Sequence, residues 1–391
     1  MVLKTPPIPE PGEHLWLREP AELDAWIAAV PDGTPVAIDS EFERTSTFFA
    51  IPGLVQIATE DSARLVEPAA VEGSAAFRTW LGDATQPKWL YAMSEDIELF
   101  REWLGESVAG ALDIQIAAAL AGEGMSVGYA RLVEALFGVA LGKEETRSDW
   151  LRRPLSEAQQ RYALADVLYL IPMAGYLLER LDQLGLKTAL AEESDRFVHD
   201  LQNQSSPERY YLRLRGGWRL SRSQQDALQA LCEWREKEAR KRDKPRSRLV
   251  SDKMLLEVAG RMPTELGHFS GLRELNPVVV RKHGEAMLAC IEGSRQRSEP
   301  LASYIDGPLT QREQTVYSEV KGLVQQCCES GSIPPEFFAP RKKLEAAVRE
   351  GIQQQSVPEL LASGWRGELL QRCMPDLQRI FQSSSKSTQA Q

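Results

Sequence analysis

Two acidic residues close a short apolar run near the start of the chain. Residues 36–44 read V-A-I-D-S-E-F-E-R, with Asp39 and Glu41 two positions apart. In a β-strand, residues i and i+2 point to the same face, so this spacing predicts two carboxylates side by side. Carboxylates that close repel each other, and they require a cation between them, a shared proton or bulk water. A lone D-x-E at a strand end favours solvated side chains, so other residues must decide.

Three further side chains make a cation the better explanation. Asp96, in S-E-D-I-E-L-F, falls in the first turn of a predicted helix, where a carboxylate also suits the helix dipole. Tyr162 and Asp166, in R-Y-A-L-A-D, are four apart and share one face of a helix. Four carboxylates supply the oxygen ligands that magnesium or manganese prefers. Two such ions can activate a water and stabilise the leaving oxygen in phosphodiester hydrolysis, and a nearby tyrosine hydroxyl could orient that water.

The segments around these residues predict the fold class. Three short strand-like runs, V-A-I-D-S-E-F, P-G-L-V-Q-I-A-T and S-A-R-L-V-E-P, are separated by turn residues and predict an antiparallel meander. A fourth run, K-W-L-Y-A, precedes a helix for which Ser94 is the predicted N-cap. Residues 113–184 have a helical pattern almost throughout. Strands followed by helices indicate an α/β domain with a mixed sheet.

The second half of the chain has a different, all-helical pattern. N-Q-S-S-P-E-R at residues 203–209 predicts a linker, and beyond it strand signals vanish. The segment P-R-S-R-L-V-S-D-K-M-L-L-E-V from Pro245 is similar to P-E-F-F-A-P-R-K-K-L-E-A-A-V from Pro335, a spacing of about 90 residues. That spacing suits two copies of a small helical domain. The tail S-S-S-K-S-T-Q-A-Q predicts disorder.

Charge and hydropathy limit the possible partners. The net charge of -10 argues against whole-surface attraction to nucleic acid, but it leaves room for a local basic site. Residues 234–248, W-R-E-K-E-A-R-K-R-D-K-P-R-S-R, concentrate positive charge; alone they are typical of a solvated helix end with i,i+4 ion pairs. No apolar run approaches the roughly 18 residues that a membrane span needs, and the N-terminus lacks the apolar core of a signal peptide. We therefore expect a cytoplasmic protein without a membrane partner.

The acidic motifs, taken in order, resemble the DEDD exonuclease superfamily in its tyrosine-containing branch. D-S-E-F-E-R, S-E-D-I-E-L-F and Y-A-L-A-D match its three motifs, and the flanking L-D-I-Q-I-A-A-A-L and R-S-D-W-L-R-R-P-L-S-E-A-Q-Q-R-Y are similar to the ribonuclease D family. This resemblance covers roughly residues 15–200. It implies an RNase H-like fold and 3′-to-5′ removal of 5′-mononucleotides from RNA, with 3′ trimming of transfer RNA precursors and other structured RNAs as the typical task.

The resemblance also implies a role for each motif residue. Two divalent ions, magnesium or manganese, would be held by the four acids, and a tyrosine would position the attacking water; in this chain these are Asp39, Glu41, Asp96 and Asp166, with Tyr162. One position departs from the family, which usually has histidine where this chain has Tyr91.

The helical half resembles the HRDC module (helicase and RNase D C-terminal) in two places. W-R-L-S-R-S-Q-Q-D-A-L-Q-A-L-C-E-W fits the first copy, and the second copy is more diverged. Because such modules typically bind nucleic acid, we predict phosphate contacts for the basic stretch, namely Arg240, Lys241, Arg242 and Lys244. Phe42 and Phe48, which follow the first motif, either stack on the terminal base or belong to the core.

The sequence thus predicts an α/β RNase H-like exonuclease domain at residues 1–204, two small all-α HRDC-type domains at 210–294 and 300–382, and a disordered tail at 383–391. We expect a monomer. Two alternatives remain open at this point: a DNA-directed 3′-to-5′ exonuclease of the same superfamily, and a non-catalytic RNA-binding protein whose acids are merely solvated.

Overall fold

The computed structural model describes residues 2–142, 145, 147–204, 206–331 and 333–383. Within these residues the chain forms two compact units. The first comprises Met1–Phe42, Pro52–Val198 and Leu309–Gln391, and the second comprises Glu43–Ile51 and His199–Pro308. The first unit is therefore made of three chain segments. Residues 43–51 and 199–308, which separate them, form the second unit.

The first unit is built on a mixed sheet, as predicted. The described residues form six strands: Trp16–Leu17 (β1), Val36–Glu43 (β2), Ile51–Ala58 (β3), Ala63–Val66 (β4), Lys88–Leu90 (β5) and Ala111–Asp113 (β6). Their order is β1-β4-β3-β2-β5-β6. β3 and β4 pair antiparallel, whereas β1 with β4, β2 with β5, and β5 with β6 pair parallel. The predicted meander thus accounts only for the centre of a sheet with parallel strands on both sides.

Helices surround this sheet and supply its core. They are Pro20–Ala29 (α1), Pro68–Gly73 (α2), Ala75–Gly82 (α3), Ser94–Leu104 (α4), Ile114–Leu120 (α5), Tyr129–Phe137 (α6), Glu157–Leu168 (α7), Leu170–Gln183 (α8) and Lys187–Gln204 (α9). Val36, Ala37 and Ile38 of β2 are buried. Consecutive burial of this kind is expected of a strand covered on both faces, which explains why β2 begins as a continuous apolar run.

One stretch of the described residues is long and apolar enough to cross a membrane by length and composition. It is Glu157–Gln183, which comprises α7 and α8, and half of its most apolar window is buried inside the structure. The expectation that no segment reaches this length was therefore wrong. Residues of this stretch belong to the hydrophobic core of the first unit, among them Leu164, Met173 and Leu177.

The helical half contains two successions of a short helix and a longer one, which correspond to the repeat seen in the sequence. The second unit contains Arg222–Arg242 (α10), Arg246–Leu249 (α11), Asp252–Arg261 (α12) and Pro277–Arg295 (α13). The first unit contains Gln311–Ser330 (α14), Pro335–Phe338 (α15), Arg341–Gln354 (α16), Glu359–Ala362 (α17), Gly364–Leu370 (α18) and Met374–Ser383 (α19). Short α11 followed by α12 matches short α15 followed by α16. Of the predicted tail, Ser383 ends α19 and the remaining residues lie outside the described ones.

The predicted linker is only partly irregular. α9 continues to Gln204, Ser205 lies outside the described residues, and Pro207–Arg213 form a run of 3₁₀ helix. Proline at the first position of this run suits a helical start, because its missing N–H group would have no partner there.

The second helical copy is joined to the exonuclease helices by a buried ion pair within the first unit. Arg366 is 1% exposed, and its Nη2 donates to Glu193 Oε2 of α9 over 3.0 Å, while its Nη1 donates to Glu193 Oε1. Trp365 Nε1 donates to the same carboxylate over 2.9 Å. Although burial alone would raise the pKa of Glu193, the hydrogen bond and charge of Arg366 lower it below its ordinary value. This carboxylate is therefore held ionised and fully engaged.

Residues 43–51, which follow β2, fold with the first helical copy. Phe48 N and Phe49 N both donate to Asp243 Oδ1, over 2.8 and 3.0 Å. Asp243 is the C-cap of α10 and has a left-handed conformation with φ of 47°, which aspartate tolerates better than most residues. The Phe48 side chain packs against Ala239 and Leu249 and is 4% exposed. One carboxylate at a helix end thus fixes the segment that leaves the first acidic motif.

Candidate active site

Asp39 and Glu41 lie at the carboxyl end of the parallel part of the sheet. The register of β2 and β5 ends with Ala37 opposite Trp89, and the two acids follow directly along β2. β6 ends at the same edge, where Asp113 lies opposite Leu90. Ligands of open α/β sheets bind outside the carboxyl ends of the parallel strands, so these acids stand where the fold offers a site.

α7 supplies Tyr162 and Asp166 from a firmly capped start. Gln159 N donates to Ser156 Oγ over 3.1 Å, and Ser156 N donates to Gln159 Oε1 over 3.0 Å, which together form a capping box. The Tyr162 ring lies 6.0 Å from the Trp150 ring, centroid to centroid. The capped start of α7 and this aromatic contact fix the direction in which Tyr162 and Asp166 face.

Asp96 is positioned by a contact that the sequence did not reveal. α4 begins at Ser94, and its N-cap is Met93, so the prediction of Ser94 as N-cap was wrong by one residue. The buried carboxylate of Asp113 instead accepts hydrogen bonds from Ala92 N and Met93 N, over 2.9 and 3.2 Å. Asp113 therefore satisfies two backbone donors just ahead of the helix and fixes the turn that leads into it.

Three of the four predicted carboxylates converge. Oxygen atoms of Asp39, Glu41 and Asp166 all lie within 4.8 Å of one another. Within the part of the chain that the structure describes, Asp96 lies outside this acid cluster, as we call the group of three. Its Oδ1 instead accepts a hydrogen bond from Ser40 Oγ over 2.5 Å. Ser40 lies between Asp39 and Glu41 on β2. The same strand therefore holds Asp96 through Ser40 and supplies two members of the acid cluster.

Burial and the mutual repulsion of the carboxylates govern the electrostatics of the acid cluster. Burial, followed by the negative charges of Asp96, Asp166 and Glu41, raises the pKa of Asp39 well above its usual range. Burial and the charges of Asp166 and Asp96 raise the pKa of Glu41 to about 9. Burial and the charge of Asp96 raise the pKa of Asp166 to about 8, and burial raises that of Asp96 to about 6. Glu41 and Asp166 therefore retain protons at neutral pH unless a cation replaces them.

The residues present fit a divalent metal ion. The cluster offers only carboxylate oxygens, which are the donors that hard cations such as magnesium and manganese select. The raised pKa values reflect burial first and then the mutual repulsion that a cation would relieve. The repulsion predicted from the two-residue spacing is therefore present in the folded protein, and solvation by bulk water does not remove it.

Two tyrosines border the acids. Tyr129 Oη donates to the backbone oxygen of Ala165 over 2.9 Å, and burial together with the charges of Asp166 and Asp39 raises the pKa of Tyr129. Tyr91, which stands where the superfamily usually has histidine, packs edge-on against Tyr129 with ring centroids 5.1 Å apart and donates to Val127 O over 2.6 Å. Tyr91 therefore packs and anchors a loop. No local spacing reveals Tyr129, Ser40 or Asp113, because the contacts that place them at the site join distant parts of the chain.

The residues predicted to contact RNA have diverse surroundings. Phe48 is buried, which favours the core alternative over base stacking, whereas Phe42 is partly buried. The Arg240 guanidinium lies 4.9 Å from the centre of the Phe48 ring, and Arg242 pairs with Glu238. The remaining two members of the stretch are exposed, namely Lys241 and Lys244. RNA contact by these residues stays a prediction.

Comparison with known proteins defines the class first. A family model described as "3'-5' exonuclease" matches residues 15–182, which contain all four acids and Tyr162. Models described as "HRDC domain" and "Ribonuclease D, C-terminal HRDC domain" match residues 224–291 and 314–374. The fold and the acid cluster are therefore those of a 3′–5′ exonuclease with two helical modules.

Relatives along nearly the whole chain define the family. Ribonuclease D of Cronobacter turicensis is 35% identical over 350 residues, covering 88% of this chain and 94% of the relative, and that of Escherichia coli K12 is 33% identical, covering 88% and 92%. The crystal structure of Escherichia coli RNase D matches with a TM-score of 0.81 at 32% identity, covering 93% of this chain and 98% of that one. The chain belongs to the ribonuclease D family, and it is a 3′–5′ exoribonuclease. The predicted family and fold class are confirmed.

Proposed function

We propose that this enzyme shortens RNA from the 3′ end by hydrolysis and releases 5′-mononucleotides, with two divalent ions, magnesium or manganese, held by Asp39, Glu41, Asp96 and Asp166. The observation that carries the proposal is the convergence of three carboxylates within 4.8 Å. Bound there, the ions would activate the attacking water and stabilise the leaving oxygen. The four carboxylates would orient the site, and Ser40 would hold Asp96 in place through its hydrogen bond.

We assign to Tyr162 the positioning of the attacking water. It lies one helical turn before Asp166 on α7, and its ring is held near Trp150. A hydroxyl group in such a position donates a hydrogen bond to water and orients its lone pair, which is a contribution to the rate that is separate from metal binding.

We propose transfer RNA precursors and other structured RNA 3′ ends as the substrates, and a monomeric enzyme that acts in the cytoplasm without a membrane partner. The support is indirect: a helical module of a nucleic-acid-binding type matches residues 224–291, and exposed lysines lie at the end of its first helix. The domain bounds 1–204, 210–294 and 300–382 stay a prediction, although the three matched ranges fall within them.

One RNA labelled separately at each end tests the reaction. With magnesium, the 3′ label should leave at once as a mononucleotide, while the 5′ label should shorten stepwise. EDTA should stop both, and manganese should be compared with magnesium as the restoring ion. Early release of the 5′ label, or full activity in EDTA, would contradict the proposal. The matched DNA strand tests the alternative substrate, since a DNA-directed enzyme would degrade it at a comparable rate.

Truncation after residue 205 is not a clean test of RNA capture by the helical half. It would remove Asp243 and the residues that cover Phe48, and it would leave Glu193 buried without Arg366. An unpaired buried charge costs about 3–5 kcal/mol. Point substitutions of exposed lysines therefore separate RNA binding from folding better than deletion does.

A further inference from the structure

A cavity of about 350 Å³ lies within the second unit, between the segment that follows β2 and the first helical copy. Three arginines line it: Arg44 from that segment, Arg235 from α10, and Arg246 from α11. Ser247 also lines it, as does Thr45, whose Oγ1 donates to Glu43 Oε1 over 2.7 Å. Guanidinium and hydroxyl groups are hydrogen-bond donors, so the wall is suited to an anion with several acceptor oxygens.

The most buried of these arginines is only partly satisfied by the protein. The Arg235 side chain is 0% exposed, and its Nη1 donates to Val250 O over 3.0 Å and to Asp252 Oδ1 over 2.7 Å. Its Nη2 lies 3.3 Å from Glu236 Oε1. Its Nε has no hydrogen-bond partner within the described part of the chain. A buried donor without a partner is rare and costly, which points to a ligand or water that completes it.

Two of the arginines share one carboxylate. Glu236 Oε1, which serves Arg235, also accepts from Arg246 Nε over 2.7 Å. Asp252, which lines the cavity, accepts from Arg235 Nη1. Because arginine cannot lose its proton in a protein, these guanidinium groups stay charged, and an anion in the cavity would interact favourably with them.

Aromatic rings fix the direction of the arginine donors. The Arg246 guanidinium lies 4.6 Å from the centre of the Phe48 ring and 4.8 Å from that of Tyr210, and the Arg235 guanidinium lies 4.7 Å from Tyr210. Cation–π attraction of this kind restrains a guanidinium group. The donors are therefore held in place before any ligand arrives, which lowers the entropy cost of binding.

We propose that this arginine cavity binds a phosphodiester group of an RNA strand, at a site separate from the acid cluster. Phosphate oxygens accept paired hydrogen bonds from a guanidinium fork and further bonds from hydroxyl groups. RNA as the source of the phosphate rests on the proposed function. Arg44 follows Glu41 by three residues, so the segment that lines the cavity directly continues the strand that carries two of the catalytic acids.

Binding of RNA by full-length protein in EDTA tests the proposal without catalysis. The probe is a 5′-fluorescein single-stranded RNA of twelve nucleotides, followed by fluorescence anisotropy at several salt concentrations. Arg44→Gln and Arg246→Gln should each weaken binding about tenfold, since each removes a charged hydrogen bond. Each should also lower the slope of log K against log salt by about 0.7. Arg248→Gln is the matched control, because Arg248 lies on the same short α11, is exposed and does not line the cavity.

RNA binding by the Arg246 variant must be compared with its melting temperature, because Arg246 also pairs with Glu236 and lies against the Phe48 ring. Ser247→Ala removes a donor from an exposed residue of the cavity wall and should weaken binding about threefold with an unchanged melting temperature. If Arg246→Gln unfolds, Arg44→Gln and Ser247→Ala decide the matter. Equal effects of Arg44→Gln and Arg248→Gln would overturn the proposal in favour of general surface charge.

A scan with single methylphosphonate linkages identifies the ligand group. Wild-type protein should lose affinity about tenfold at one linkage, and Arg44→Gln should lose nothing further at that linkage. A flat scan, together with displacement of RNA by AMP, would show a site for terminal phosphate monoesters and overturn the phosphodiester assignment. Wild-type protein that binds no RNA would refute the proposed function itself. Wild-type protein that binds and degrades RNA, with variants that do so equally well, would refute only the arginine cavity.

Discussion

The acid cluster and the arginine cavity are dominated by charges of opposite sign, and these charges respond differently to pH. In the acid cluster, burial and repulsion raise the pKa of Glu41 to about 9 and that of Asp166 to about 8, so protons can take the place of a metal ion. The arginines of the cavity cannot give up protons. They are stabilised instead by Glu236, Asp252 and two aromatic rings. A nuclease thus has one site whose charge changes with pH and one whose charge is permanent.

Removing one acid should produce the largest effect and separate the two sites completely. Asp39→Asn and Asp166→Asn should each lower the hydrolysis rate by about 10³-fold or more, and the double variant should be little worse, because the acids act as one unit. Binding of the fluorescent RNA in EDTA should remain within about threefold of wild type. Near-normal turnover of Asp39→Asn in magnesium would show that Asp39 is not a ligand.

Changing Tyr162 should give a smaller effect that leaves both charged sites intact. Tyr162→Phe should lower the saturated rate about 10²-fold, since it removes only a group that positions water. The metal concentration giving half-maximal rate should be unchanged, and so should RNA binding in EDTA. Trp150→Phe is the control for packing, as its ring is the described aromatic neighbour of Tyr162. A strongly shifted metal titration with a normal saturated rate would count against the assigned role.

The pH dependence of the free energy of unfolding without metal distinguishes the acid cluster from the arginine cavity. Glu41 has its pKa raised from 4.5 to about 9 and Asp166 from 3.8 to about 8, so between these values the folded protein binds more protons than the unfolded chain. The free energy of unfolding in EDTA should therefore fall as pH rises from about 4 to about 9. The melting temperature should drop by on the order of 5 °C.

Saturating magnesium or manganese should flatten this dependence, because the cation replaces the protons. Asp166→Asn should reduce it without metal, whereas Arg44→Gln should leave it unchanged, since the charge of arginine is constant over this range. Scanning calorimetry at several pH values with and without EDTA measures each case. A melting temperature that rises with pH in EDTA would show that the cluster is not strained by its own charge.

The exposed lysines at the end of α10 should give the smallest effect. Lys241→Glu and Lys244→Glu together should raise KM for a transfer RNA precursor several-fold and lower the salt slope of binding by about 1–2, while kcat stays the same. KM for a short single-stranded RNA should change less. Equal losses on both substrates would mean that these lysines do not distinguish folded RNA.

β2 and the paired acids could be predicted because their signal is local. The i,i+2 spacing in β2 and the i,i+4 spacing in α7 fix which side chains share a face, whatever the rest of the chain does. The strands β1 and β6 were not predicted, because two or three residues are too few to show a period of two. β5 is as short as β6, but it lies in the longer apolar run K-W-L-Y-A that marked it as a strand. Asp113 escaped notice for a similar reason, since its hydrogen-bonding partners lie about 20 residues earlier in the chain.

The surroundings of Phe48 show most clearly what could not be predicted from the sequence. Its place after the first motif suggested base stacking or core packing equally well. The structure buries it with Ala239 and Leu249 and ties its backbone N–H to Asp243, 195 residues later. The basic stretch was likewise visible as a run of charge. The sequence does not show which of these arginines contact aromatic rings and which form ion pairs. Those contacts depend on residues that the fold brings close, and no local pattern encodes them.

The ion pair between Glu193 and Arg366 also has a consequence during synthesis of the chain. The two residues are 173 positions apart, so at about 5–20 residues per second Arg366 is synthesised roughly 9–35 s after Glu193. All four acids proposed as metal ligands have been made by then. A chain that terminates before Arg366 therefore carries the complete acid set, but its Glu193 has no arginine partner. We expect such a fragment to be unstable and open to proteolysis, so that the late arginine makes a stable nuclease depend on completion of the chain.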